Sequence, residues 1–203
     1  MTTVYAFDPT DHEIQSDVTD EDLDRGFIAH FEVAAEDAVE ADTDGVHVAV
    51  TDNGSPQEIT TEITNPAVPR NITATAGGTG GDIKAIQVVI DGTDFLDAEI
   101  QETLPAFTVD TPGTVEGSKA FKTVTTITIP AHDGTGATTA IGWEDKLGRP
   151  YKRTVCPCLA AFLDGTLETT LPTVVSSSSD IAANTIELDS ALDGSKVDAF
   201  LIV

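Results

Sequence analysis

GSKAFKTVTTITIP, residues Gly117 to Pro130, decides the fold class. Thr, Val, Ile and Phe dominate it, and such β-branched and aromatic side chains fit a pleated, half-buried surface. Phe121, Ile127 and Ile129 are spaced by even numbers, so one strand would carry all three on the same face. A glycine opens the run and a proline closes it, as expected for a strand bounded by breakers. A second segment, DKLGRPY from Asp145 to Tyr151, belongs to the same β chemistry. Neither segment holds a catalytic nucleophile, a metal-ligand cluster or a phosphate loop.

Working outward, the period of two recurs. Val46, Val48 and Val50 alternate with His47, Ala49 and Thr51, and Ile59, Thr61 and Ile63 alternate with Glu58, Thr60 and Glu62. Ile86, Val88 and Ile90 flank Gln87, Ile100 stands between Glu99 and Gln101, and Ile186 and Leu188 enclose Glu187. Lys196 to Val203 reads as a strand that runs to an apolar end. Turn chemistry separates these runs at Asp52–Pro56, Gly77–Gly81, Asp91-Gly92, Thr111–Gly113, Asp133-Gly134, Asp164-Gly165 and Asp193-Gly194. Asp164-Gly165 and Asp193-Gly194 are the hairpin candidates, and Gly77–Gly81 reads as a flexible hairpin tip. One short helix is predicted over about Val33 to Ala41, where Ala and Glu concentrate. The expectation is an all-β protein, an antiparallel β-sandwich or barrel. Met1 to about Asp24, polar and acidic, is expected to be an extended arm ordered by a neighbour. Residues 25–203 form the β-rich domain, with a sub-boundary marked near Gly148-Arg149-Pro150; a single domain is the simpler reading.

The chain has 203 residues, 35 acidic against 10 basic, and a net charge of -25. Repulsion on that scale opposes compaction in dilute buffer and fades as molar salt shortens the Debye length to about 3 Å. The carboxylates are scattered through apolar segments, unlike a disordered acidic tail, so the composition points to a folded protein suited to high salt, with an ordinary acidic mesophilic protein as the alternative. Nucleic acid is excluded as a partner, because a polyanion calls for a basic surface. No apolar run reaches the roughly 18 residues of a membrane-spanning helix. Met1 to Asp11 lacks the basic and apolar regions of a secretory signal, so cytoplasmic synthesis and assembly are expected.

Chemistry is sparse. Carboxylate pairs such as Asp94 with Asp97 and Glu99 with Glu102 arise by chance in so acidic a chain, and solvated roles are expected for them. His132-Asp133 sits in a Gly-rich turn, and no nucleophile elbow is present. Gly77–Gly81 lacks the Lys-Ser/Thr that follows in a phosphate loop. Cys156 and Cys158 flank Pro157 at a separation near the outer limit for a disulfide. Two small thiols at least partly buried are expected, with an intersubunit bridge or a metal site as alternatives. His12, His30, His47 and His132 show no zinc spacing. No cofactor or catalytic residue is assigned, although acidic turns could hold Mg²⁺ or Ca²⁺ weakly. Trp143, Tyr5 and Tyr151 are too scattered for a glycan platform. No enzyme is expected.

Charge is lopsided along the chain. Up to Pro69 the single basic residue is Arg25, among seventeen Asp and Glu, whereas Lys119, Lys122, Lys146, Arg149, Lys152 and Arg153 cluster in the middle. These six are the candidate subunit interface of a homo-oligomer, a basic surface that meets a neighbour's acidic segment; a local cluster without a partner is the alternative.

Several segments together resemble a family of tailed-virus and prophage virion proteins. They are TNPAVPRNIT (Thr64–Thr73), GSKAFKTV (Gly117–Val124), DKLGRPY (Asp145–Tyr151), FLDG (Phe162–Gly165), NTIEL (Asn184–Leu188), ALDG (Ala191–Gly194) and the end from Val197 to Val203. They are ordered along some 140 residues of the stretch from Gln57 onward. The resemblance implies a structural role on the particle, decorating the capsid as a turret or cement protein, with the major capsid protein or other virion proteins as partners. A tail, connector or baseplate component is the alternative, and a binding module or hydrolase outside viruses a third reading. It implies no catalytic residues. The acidic arm and the Cys-Pro-Cys segment depart from the pattern. Acidity, for its part, implies a halophilic host.

Overall fold

The computed structural model describes residues 13–15, 22–24 and 26–203. The expected arm therefore lies largely outside the described residues. Within it, β1 (Glu13–Gln15) and β2 (Asp22–Asp24) pair antiparallel, Glu13 opposite Asp24. The strands that follow are β3 (Ile28–Val33), β4 (Asp42–Thr51), β5 (Gln57–Ile59) and β6 (Arg70–Gly78). Next come β7 (Val89–Thr93), β8 (Glu99–Thr103), β9 (Gly113–Phe121), β10 (Thr123–Ile129) and β11 (Ala137–Gly148). The last are β12 (Cys158–Leu163), β13 (Thr166–Leu167), β14 (Thr173–Val175), β15 (Thr185–Glu187) and β16 (Val197–Ile202). One 3₁₀ turn, Gly80–Asp82, is the helical element among the described residues.

The fold is all-β and antiparallel, as the alternation predicts. One sheet has the order β5-β10-β7-β8, a second β14-β15-β11-β6-β9, and a third β13-β12-β16-β3. The 12-residue β11 is the spine. One of its edges pairs with β6 from Ala137 to Leu147, and the other is shared by β4 at residues 138–143 and β15 at 147–148. Two apolar cores result. The first holds Ile72, Ile90, Leu104, Phe121, Ile127 and Ile141 between the first two sheets. The second gathers Phe31, Val33, Leu147, Ala161, Ile186, Val197, Ala199 and Leu201. Chain from both sides of Gly148–Pro150 thus builds the second core.

The stretch from Gly117 to Pro130 is not one strand. It breaks at Lys122: Phe121 pairs with Arg70 in the second sheet, while Thr123 pairs with Thr93 in the first. The chain changes sheets across a single residue, and consecutive buried Ala120 and Phe121 mark the corner. Asp91-Gly92 is no turn but the middle of β7, where Gly92 lets the corner approach. A Cβ there would lie 1.9 Å from the Thr123 carbonyl oxygen and 3.0 Å from the Phe121 ring. Opposite it, β10 bulges between Val124 and Thr126.

Three other expectations are corrected. No helix forms over Val33 to Ala41; a single turn closes where Asp37 and Ala38 N–H groups donate to the Ala34 carbonyl. The segment is pinned at both ends by β3 and β4, and Ala38 is spent on the second core, so helix propensity loses to tertiary contact. Gly77–Gly81 is no hairpin tip, because β6 and β7 lie in different sheets and this segment crosses between them. Asp193-Gly194 joins no hairpin either, since the Gly194 N–H donates to the Ala38 carbonyl and β16 pairs with β12 and β3. Asp164-Gly165 does form its hairpin, Leu163 opposite Thr166, with φ of 50° and 71° at the two turn residues as a type I′ turn requires.

Candidate functional site

Among the described residues, the most deeply buried charged side chains are two arginines, Arg70 and Arg149, each fully buried. Arg70 opens β6. Its Nε donates to the Glu144 carbonyl at 2.7 Å, one terminal nitrogen to the Val39 carbonyl at 2.7 Å, and the other to Asp145 Oδ1 at 3.0 Å. Burial lowers the Arg70 pKa and the Asp145 and Glu144 carboxylates oppose that shift; a guanidinium stays charged regardless. The second Asp145 oxygen accepts from the Leu192 N–H. Arg149 lies in the DKLGRPY segment, immediately after β11 ends at Gly148. Its Nε donates to the Thr185 carbonyl at 3.1 Å, one terminal nitrogen lies 2.9 Å from Cys156 Sγ, and the other donates to the Val175 carbonyl and to Ser176 Oγ.

For Arg149 this corrects the surface position expected from the sequence. Arg149 is interior, where its donors meet the Val175 and Thr185 carbonyls at the paired ends of β14 and β15. Lys122 pairs with Asp97 at 2.7 Å, Lys146 with Glu116 at 2.7 Å, and Lys119 reaches Asp180 at 3.8 Å and the Gln101 carbonyl. Lys152 is exposed and Arg153 half-buried. Three of the six lysines and arginines thus have acidic partners within the chain, and one arginine is part of the core. One hint of burial is legible beforehand: each arginine directly follows two uncharged residues, Val68-Pro69 and Leu147-Gly148.

The arginines sit where segments distant in sequence lock together. The Gly148 N–H donates to the Pro69 carbonyl, the Arg149 N–H to the Asn184 carbonyl, and the Val124 N–H to Asn65 Oδ1. Asn71, fully buried, donates to the Gly117 carbonyl and accepts from the Lys146 N–H. Leu163 pairs with Val197. Each of the seven segments that carry the resemblance is tied to another by such a contact.

The groups weighed for chemistry have structural partners. Asp94 is buried and accepts from the Leu96 and Ala98 N–H groups, which closes the turn between β7 and β8. Glu102 closes the sandwich edge, accepting from the N–H and hydroxyl of Ser118 and the N–H of Lys119. His132 is buried beside Phe107. Its Nδ1 accepts from the Lys84 N–H, so Nε2 carries the proton toward Thr139 Oγ1 at 3.0 Å. Burial lowers its pKa, against the raising effect of Asp52 and Asp133. Both cysteines are free thiols; Cys156 is buried and Cys158 half-buried, the latter pushed up by burial.

The outer face of the third sheet carries a cluster that sequence spacing concealed. Glu32 of β3 is directly opposite Asp198 of β16, and His30, two residues along, shares their face opposite Phe200. His30 Nε2 lies 2.7 Å from Asp198 Oδ1, and its ring stacks on Phe200 at 4.9 Å. Phe162 meets Phe200 edge-on. Lys196 Nζ lies 2.7 Å from Glu32 Oε2 and 3.0 Å from Asp198 Oδ1. Those two contacts raise the Lys196 pKa, Glu32 contributing most. At Asp198 burial pulls upward, but hydrogen bonds from Lys196 and His30 outweigh it and the net shift is down. Pairing between strands 168 residues apart makes this cluster, so only the sheet order could reveal it.

Comparison of the chain with protein-family models, curated proteins and solved structures gives no match.

Proposed function

We propose that the chain is a non-enzymatic structural protein of the virion of a tailed virus with a halophilic host, decorating the capsid surface as a turret or cement protein. One observation carries this reading. Four of the segments that resemble virion proteins, Thr64–Thr73, Asp145–Tyr151, Asn184–Leu188 and Ala191–Gly194, meet at the Arg70 and Arg149 junction, where Asp145 accepts from Arg70 and from the Leu192 N–H, and Arg149 donates to the Asn184 and Thr185 carbonyls. Segments kept for chemistry would converge on a cleft with reactive groups; these hold two β cores together. The charge supports the same reading. Several of the few cations are consumed in internal pairs, which leaves a large excess of carboxylates for solvent, as a surface in molar salt demands. Partners are further copies of the chain and the major capsid protein or other virion proteins.

Quantitative mass spectrometry and symmetry-resolved imaging of purified particles test the proposal. On the order of hundreds of copies on capsid three-fold axes, or tens at five-fold vertices, are expected. A ring confined to the tail axis would transfer the protein to the tail, connector or baseplate. Absence from purified particles overturns the virion assignment.

A further inference from the structure

We propose that His30, Glu32 and Asp198 bind a divalent transition-metal ion through His30 Nε2 and one oxygen of each carboxylate, with Lys196 as a built-in competitor for the place. The ligand atoms all lie within 4.8 Å of one another. They project from one face of paired strands, on rungs two residues apart, so the backbone holds them in place without a loop. Stacking on Phe200, with ring planes 10° apart, orients the imidazole so that its Nε2 faces the carboxylates. The Lys196 ammonium, within 3.0 Å of both acids, marks where a cation sits.

In a tetrahedral zinc site, bonds of about 2.0 to 2.2 Å put ligand atoms roughly 3.3 to 3.6 Å apart. Small rotations of His30 and Glu32, both exposed, reach that spacing, opening His30 Nε2–Asp198 Oδ1 from 2.7 Å and closing the longer separations. The nitrogen donor sets the class of ion. Imidazole suits Zn²⁺, Ni²⁺ and Cu²⁺, whereas Mg²⁺ and Ca²⁺ prefer all-oxygen shells. This separates the site from diffuse cation binding by acidic turns. Positions not filled by these three ligands face solvent and are open to water or to a donor from a neighbouring molecule. The inference does not depend on the virion reading.

The test is calorimetric titration of the full chain with Zn²⁺ and, separately, Mg²⁺, at fixed pH and molar NaCl. One Zn²⁺ site is expected, with no comparable Mg²⁺ site. His30→Ala should weaken Zn²⁺ binding at least about tenfold, in line with the loss of a metal-supporting group. Lys196→Met should tighten it several-fold by removing the resident ammonium. Thermal midpoints without metal, unchanged in both variants, would show that the fold survives. Zn²⁺ binding that is absent, unaffected by His30→Ala, or matched by Mg²⁺ overturns the site.

Discussion

Replacing Arg149 tests the account of the junction most directly. The guanidinium is fully buried and donates to the Thr185 carbonyl, the Val175 carbonyl and Ser176 Oγ, with Cys156 Sγ against its remaining side. Arg149→Ala removes every one of those donors. The Thr185 carbonyl lies in a buried residue and stays unsatisfied, at a cost of about 1 to 3 kcal/mol. Val175 is exposed, so its carbonyl can recruit water. Loss of the buried stem adds about 2 kcal/mol. The sum, about 3 to 5 kcal/mol, is a large share of the roughly 5 to 15 kcal/mol that holds a typical domain. Arg149→Met refills the volume and needs no desolvated charge, so it should cost clearly less than the alanine. The reverse contrast is the triple change of Lys119, Lys122 and Lys146 to Gln, which removes the pairs without setting new carboxylates beside Asp180, Asp97 and Glu116. Those lysines are in partly exposed pairs worth about 0 to 1 kcal/mol each, and the fold should survive. Urea unfolding in constant molar salt, followed by far-ultraviolet dichroism and by the fluorescence of the single tryptophan, Trp143, measures all three. Arg149→Ala within 1 kcal/mol of the parent, or a larger loss from the lysine triple, would refute the reasoning.

Further tests concern titration, sterics and salt. His132 is held neutral, with a folded-state pKa below its ordinary 6.5; the unfolded chain takes up the proton first as pH falls. Its contribution is therefore complete above about pH 6.5 and is lost as pH falls below that value, at up to about 1.4 kcal/mol per pH unit. His132→Gln should flatten this part of the profile in pH-dependent urea melts, and an unchanged slope would exclude His132 as the source. Gly92→Ala should cost about 3 kcal/mol or more, because its Cβ would collide with the Thr123 carbonyl; a thermal midpoint equal to the parent would show that the sheets can part there. With a net charge of -25, native dichroism should weaken in 0.1 M salt and recover in 3 M, and equal stability in both would remove the high-salt reading.

Alternation, Thr content and breaker residues were sufficient to determine an antiparallel all-β chain, because side-chain period and turn chemistry are local properties of the backbone. The same logic predicted the Asp164-Gly165 hairpin, whose two residues supply the positive φ their turn demands. It could not predict which strands meet. Val46 and Val48 share a face in an ideal strand, yet Val46 is buried and Val48 is 62% exposed. Irregular pairing of β4 with β11 places an extra residue between Val50 and His47 and turns Val48 outward. Gly117 to Pro130 reads as one strand because each half alternates; its break at Lys122 depends on Thr93 and Arg70, far away in sequence. Charge is the least legible property. A sequence shows that Arg149 is basic, but whether a guanidinium faces water or a set of carbonyls depends on the loops that close over it. The same holds for His30, Glu32 and Asp198, which become neighbours only because β3 adds to the edge of β16. Local chemistry chose the type of structure, and pairing between remote segments chose every site within it.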